Sequence, residues 1–210
     1  MVKWVTINNL INYCDGITIM EKQLEKIIQL LEPDTIFLLE HNETYTAGRS
    51  STECELLVKD RFPVVYTDRG GKFTYHGPGQ RVIYPIINLN NGLKEKDLKL
   101  YIRKLEKWII LTLESLQVQA FTIPSKIGVW VKNTDNVNAK IGAIGIRIKK
   151  WVVYHGVAIN IYPNLEHYSD IIPCGISDSP VTSLKDIGVN ISLKEFDFLL
   201  KKFFPGFYCY

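Results

Sequence analysis

The chain has 210 residues, 46% of them hydrophobic, and a formal net charge of +3. That length and content give one globular domain with a real core, and the charge is too small to indicate a nucleic-acid surface by itself, because phosphate-binding domains gather a strong basic excess on one face. The four cysteines, Cys14, Cys54, Cys174 and Cys209, are far apart, with no C-x-x-C pair and no His or Cys at ligand spacing, which argues against a disulfide framework or a zinc site. No run approaches about 18 apolar residues, and "MVKWVTINNLINYCDG" at the N-terminus lacks the apolar stretch and small-residue cleavage site of a leader. A reducing, cytoplasmic setting is therefore expected.

In chain order, "ITIMEKQLEKIIQLLEP" places Ile17, Met20, Leu24, Ile27, Ile28 and Leu31 at helical spacing and ends before Pro33. The short apolar runs "DTIFLLEH", "FPVVYTD" and "RVIYPIINL" read as strands. A second helix is predicted over "EKDLKLYIRKLEKWIILTLESL", where Leu98, Tyr101, Ile102, Leu105, Trp108, Ile109 and Leu116 form a core-facing stripe. Three more strands follow in "IGVWV", "AKIGAIGIRI" and "KWVVYHGVAINIY", with "NTDNVNA" turning the chain between the first two. A last helix over "SLKEFDFLLKKFF" has Ser192 as N-cap and Glu195 as the other half of a capping box. Helices mixed with consecutive late strands predict an α+β or mixed α/β fold, without linkers or repeats to divide residues 1–210.

Two glycine-bearing segments and one cysteine carry the chemical clues. "DRGGKFTYHGPGQ" is a binding loop or a turn cluster: its glycines permit positive φ and close approach of backbone to a ligand. It is not a P-loop, since that pattern needs a longer glycine-spaced run and Lys followed directly by Ser or Thr. Lys140 heads the strand "AKIGAIGIRI", either as a solvated strand end or as a lysine drawn into a cleft by the small residues beside it. Cys174 lies between Pro173 and Gly175 in "IIPCGISDSPVTSL". A buried small hydrophobe is one reading; the rigid bend and the polar run that follows favour an exposed thiol. A thiol with a pKa of about 8.5 needs help to act as a nucleophile at neutral pH, and a nearby ammonium would supply it. Spacing alone does not bring Lys140 to it.

Taken together and in order, "HNETYTAGRS", "DRGGKFTYHGPGQRVIYPIINL", "KIGAIGIRI", "YHGVAINI" and "IIPCGISDSPVTSL" resemble the lipoyl(octanoyl) transferases of lipoic acid biosynthesis, also called the lipoate-protein ligase B family. The likeness runs from about Phe37 to Leu184. "HNETYT" departs from it where the family often has prolines. The resemblance implies a single catalytic domain over 1–210 with the fold of biotin and lipoate protein ligases, a mixed sheet flanked by helices. It implies that Cys174 takes an octanoyl group from acyl carrier protein as a thioester and that Lys140 partners it. The acyl group would then pass to a lysine of lipoyl domains in 2-oxoacid dehydrogenase E2 subunits or glycine cleavage H protein. No ATP, metal or other cofactor is implied.

By the same resemblance the acyl site is walled by Arg69, Gly70, Gly71, Lys72, Phe73, Thr74, Tyr75 and His76, with Ala143, Ile144 and Gly145 and with Gly156, Val157 and Ala158 completing it. Tyr75 is expected to pack. His76 orients the thioester or supports an oxyanion, or is a hydrogen-bonded structural histidine; His155 has the same two readings, and His41 and His167 have no assigned task. Arg147, Lys149 and Lys150 are candidates for a basic rim facing an acidic carrier protein. An ATP-dependent ligase and a noncatalytic acyl-binding protein on the same fold remain the alternatives.

Overall fold

The computed structural model describes residues 2–91, 96–173 and 180–206. Its main body is a seven-stranded mixed sheet in the order β1-β2-β6-β10-β9-β8-β7, formed by β1 (Lys3–Ile11), β2 (Thr35–His41), β6 (Gln80–Asn88), β7 (Ala120–Ile123), β8 (Lys126–Lys132), β9 (Asn138–Lys149) and β10 (Val152–Asn160). A small sheet in the order β4-β3-β5 is built from β3 (Thr44–Ala47), β4 (Val64–Tyr66) and β5 (Phe73–His76). The helices are α1 (Tyr13–Ile28), α2 (Leu98–Glu114) and α3 (Leu193–Lys202).

Alternation along the strands divides the core. Ile36 and Leu38 of β2, Ile83 and Ile87 of β6, and Val153 and Val157 of β10 pack on α2 and α3 through Leu105, Trp108, Ile109, Phe196 and Leu200. The intervening residues Phe37, Leu39, Val82, Tyr84 and Ala158 face α1 through Met20, Leu24 and Ile27. The small sheet adds a third cluster of Tyr45, Phe73, Tyr75, Tyr168 and Ile171. Among the described residues no helix is long and apolar enough to cross a membrane.

The capping box of Ser192 and Glu195 forms as expected at the start of α3. Asn133 likewise turns the chain between β8 and β9, its side-chain oxygen accepting from the backbone N–H of Asp135 and Val137. The first helix differs from its pattern. It starts at Tyr13 and stops at Ile28, because Leu30 takes a left-handed φ of 60° that turns the chain out. Leu31, expected on the buried stripe, is 71% exposed.

Two local irregularities interrupt the strands that border the site. The pairing of β8 with β9 slips between Val129↔Gly142 and Trp130↔Lys140, so Ile141 is an extra, bulged residue beside Lys140. In β10, His155 has φ 60°, which breaks the alternation and leaves Tyr154 and His155 with stacked rings, their centroids 5.1 Å apart. Gly156 comes next, so close to β6 that a Cβ there would lie 2.2 Å from the Ile83 carbonyl oxygen and 2.5 Å from Pro85 Cδ.

Gly156→Ala is therefore expected to destabilise the protein by about 2–3 kcal/mol, an overpacking cost the backbone neighbours cannot relieve cheaply. Gly188→Ala, at φ 85° with nothing within 4 Å of the added carbon, should cost only about 1 kcal/mol. Urea unfolding of the two variants checks the difference; equal costs would contradict it.

Candidate active site

Asp68 organises one side of the site. Its carboxylate accepts from Tyr154 Oη at 2.8 Å, His155 Nε2 at 2.9 Å and Arg147 Nε at 3.3 Å. Burial raises the Asp68 pKa, but the hydrogen bonds from His155 and Tyr154 outweigh it and the net shift is downward. With its first residue held to β9 and β10, the segment 68–72 folds over them. Arg69 then turns inward: its guanidinium donates to Thr46 O and Oγ1, both at 2.7 Å, to Lys72 O at 2.9 Å and to Gly70 O at 3.0 Å. These bonds clasp the loop from inside. Gly48 after β3 is equally close, since a Cβ there would lie 2.4 Å from the Gly71 carbonyl oxygen.

Between this loop and the strands lies a narrow cavity of about 50 Å³ that opens to solvent. Arg69, Gly70, Gly71, Lys72, Thr74 and His76 form one wall, and Ala143, Ile144, Gly145, Gly156, Val157 and Ala158 the other. Phe73 and Tyr75 are not in it. Strand alternation in β5 turns both into the small-sheet core, where the Tyr75 hydroxyl meets His167 Nδ1 at 3.0 Å. Tyr13, Val82, Tyr84 and His155 complete the lining. Sequence pattern gives no sign of Tyr13 or Tyr84, which read as ordinary helix and strand residues; Asp68 is visible there only as the neighbour of Arg69.

The far end of the cavity is dense in buried polar rings. His76 stacks on Tyr13 with centroids 5.4 Å apart, and its Nδ1 lies 2.7 Å from Gln80 Oε1. His41 has no accessible surface and receives the Tyr84 hydroxyl on Nε2 at 2.8 Å. Burial lowers the pKa of all three histidines here, His41 to about 4, His76 well below its ordinary value, and His155 against the opposing pull of Asp68. Neutral imidazoles are what this end of the cavity holds at neutral pH.

Lys140 sits at the near end and is 7% exposed. The bulge aims its side chain across β8, where Nζ donates to Ile127 O at 3.1 Å and lies 5.0 Å from the centre of the Trp130 ring. Gly128 makes room for it: a Cβ at that position would be 3.3 Å from Lys140 Cε and 2.6 Å from Gly142 O. The backbone of Lys140 is stitched to the chain just after residue 179, its N–H donating to Pro180 O at 2.9 Å and its carbonyl accepting from Thr182 N at 3.0 Å. A small recess joins Lys140, Thr74, Ala143 and Ala158 to Pro173 and Val181. Cys174 lies outside the described residues, as does Cys209; Pro173 before 174–179 and Val181 after it both line this recess.

A wider groove on the outer side runs along Lys72, Lys126, Ile127, Lys140 and Ile144. Of the residues expected to form a basic rim, Arg147 is paired with Asp68 and Lys149 with Glu25. Cys14 and Cys54 are exposed and free, and no cluster of three or more potential metal ligands occurs among the described residues.

The chain matches the family model for the lipoyl protein ligase A/B catalytic domain over residues 12–204. It is 51% identical over 201 residues to an octanoyltransferase of Rickettsia canadensis, covering 96% of each chain. It is 49% identical to an octanoyltransferase of Rickettsia bellii over the same length, again 96% of each. In three dimensions it resembles a bipartite lipoate protein ligase from Thermoplasma acidophilum with a TM-score of 0.70, covering 96% of this chain and 81% of that one at 15% identity. The last likeness bears on the fold alone, and it matches the expected mixed sheet flanked by helices.

For His41 the sign of the pH effect is definite. Its folded pKa, about 4, lies below the unfolded value of about 6.5, so the unfolded chain binds the proton first and stability falls as pH drops from about 6.5 to 4. Burial pushes Asp34 up to about 6, which works in the opposite direction. His41→Asn should therefore remove about 3 kcal/mol from the acid-dependent loss between those pH values, seen in urea unfolding at several pH values. An unchanged slope in the variant would contradict the assignment.

Proposed function

This chain belongs to the lipoyl protein ligase A/B catalytic family and is an acyltransferase of protein lipoylation, and from that premise we propose how its residues divide the work. The donor is an octanoyl (or lipoyl) thioester on the pantetheine arm of acyl carrier protein. Cys174, as thiolate, attacks the thioester carbonyl; the C–S bond to pantetheine breaks, and that sulfur leaves as a thiol after taking a proton. The ε-amine of a lysine on a lipoyl domain then attacks the acyl-enzyme, forming the amide and releasing the Cys174 sulfur. Lipoyl domains of 2-oxoacid dehydrogenase E2 subunits and glycine cleavage H protein are the acceptors. The thioester supplies the activation, so no ATP enters.

The observation that carries this reading is the setting of Lys140. Its ammonium is buried beside the acyl cavity, bound to a carbonyl oxygen and an aromatic face. Its backbone is bonded to the segment that follows Cys174 in the chain. Pro173, directly before Cys174, lines the same recess as Lys140. Consecutive Cα atoms are only about 3.8 Å apart, which supports a close cysteine and lysine. A cation there favours the thiolate in the first step and gives its proton to the departing pantetheine sulfur; the neutral Lys140 amine so formed, or the Cys174 thiolate released from the acyl group, takes the proton of the attacking amine in the second.

The dimensions of the cavity suit the acyl group. Ala143 pairs with Ala158 and Ile146 with His155 across β9 and β10, so the strip between the pairs is roughly 10 Å long at about 3.4 Å per residue. An extended eight-carbon chain, with seven C–C bonds of about 1.5 Å, spans roughly 9 Å. The glycines and alanines of that strip leave the space, and each buried methylene contributes about 0.8 kcal/mol.

Transfer to a lipoyl domain should proceed from octanoyl-acyl carrier protein without ATP and should be lost in Cys174→Ala. Lys140→Ala should slow acylation and move the pH profile of Cys174 alkylation to higher pH. Free octanoate with ATP replacing the thioester donor would instead mark an ATP-dependent ligase. Full transfer by Cys174→Ala would overturn the covalent mechanism, and an unchanged alkylation profile would remove the role of Lys140 in thiolate formation.

A further inference from the structure

The end of the cavity away from Lys140 is polar in a way that a plain hydrocarbon tail does not explain. The recess at Lys140 shares Thr74, Ala143 and Ala158 with the cavity, whereas His76, His155, Tyr13 and Tyr84 line only the part beyond them. The hydrogen bonds around the two histidines fix their tautomers. Gln80 Nε2 donates among Tyr75 O, Asn160 Oδ1 and Tyr168 Oη, which leaves Gln80 Oε1 as an acceptor and places the His76 proton on Nδ1. His155 Nε2 faces the Asp68 carboxylate, so its proton is on Nε2. The opposite ring nitrogens, His76 Nε2 and His155 Nδ1, are therefore bare acceptors, and both are buried without a hydrogen-bond partner among the described residues.

Neighbouring hydroxyls are already committed. The His41 Nδ1 proton points to Ile11 O, so the Tyr84 hydroxyl donates to His41 Nε2; the Tyr154 hydroxyl donates to Asp68, and the Tyr13 hydroxyl is hydrogen-bonded among Thr67, Arg69 and Tyr84. His76 and His155 are 6% and 2% exposed, deep enough that an unpaired acceptor is costly. A methyl terminus would seal them in. A terminus with an O–H or S–H would satisfy one of them.

We propose that this end of the cavity is a hydrogen-bond-accepting site for the tail of the acyl group, built from His76 Nε2 and His155 Nδ1, and that it favours acyl chains bearing a hydroxyl or thiol near their far end over hydrocarbon chains of equal size. The site rests on the acyl-transferase reading for its ligand, and it adds a rule of selection that chain length alone does not contain. His76 and His155 act here as specificity-determining residues.

The test compares 8-hydroxyoctanoic and nonanoic acids, which differ by an oxygen in place of a methyl at nearly equal size. Calorimetric binding of each free acid to the full chain reads the site without requiring turnover, and kcat/KM with the matching acyl carrier protein thioesters reads it during transfer. The hydroxylated chain is expected to be favoured about fivefold or more, and His76→Leu should bring the binding ratio to about one. Equal or weaker binding of the hydroxylated acid overturns the proposal, as does an unchanged ratio in a folded His76→Leu; should that variant not fold, the wild-type ratio decides. Absence of transfer from every thioester, with the binding preference intact, would overturn the proposed function and leave this site standing.

Discussion

The Asp68 carboxylate is the fixed point from which the site is built. Two consecutive residues of one strand reach it, Tyr154 and His155, which an unbroken strand would send to opposite faces. The left-handed φ of 60° at His155 makes this possible at a conformational cost of about 1–3 kcal/mol. That strain is held by the ladder on either side, where Val153 pairs with Ile87 and Val157 with Ile83. Arg147 from β9 adds a third bond to the same carboxylate. One side chain therefore ties the loop 68–72 to two neighbouring strands, and the cavity is the space left between them.

A second constraint operates at the other end. The bulge at Ile141 and the absence of a side chain at Gly128 let Lys140 turn inward across β8, while its backbone pairs with Pro180 and Thr182. The backbones of Lys140 and of the chain at 180–182 are thus held to each other by main-chain bonds. Between the two anchors the small residues of β9 and β10 set the width. The proposed chemistry uses both anchors: an acyl chain seated along the strip has one end at the Asp68 clamp and the other toward Lys140.

The parts of this arrangement legible in the sequence are those with a period or a cap. The stripe Tyr101, Leu105, Trp108, Ile109 announces α2, and Ser192 with Glu195 announces α3. β1, β3, β5 and β7 carry no comparable mark, for different reasons. β1 has mostly exposed or half-exposed side chains, so "KWVTINNLI" shows little alternation. β5 is hidden inside a segment that its glycines mark as a loop, so the segment gives no sign that Phe73 and Tyr75, placed in the acyl wall by the family resemblance, point into the small-sheet core. The end of α1 escapes the pattern because a leucine, not the usual glycine, takes the left-handed position. The family motifs locate Lys140 and the cavity walls; the clamp on Asp68 and the rings of Tyr13 and Tyr84 depend on contacts across long sequence separations that carry no local signal.

The proposed mechanism stands on a thioester at Cys174. Peptide mapping by tandem mass spectrometry observes it, after the full chain has been mixed with octanoyl-acyl carrier protein in the absence of acceptor and quenched in acid. An octanoyl group is expected on the peptide containing Cys174, removed by hydroxylamine and discharged on addition of a lipoyl domain. A protein that transfers the octanoyl group once a lipoyl domain is added, although Cys174 stayed unmodified before the addition, or that carries the group on Cys14 or Cys54 instead, would contradict the mechanism.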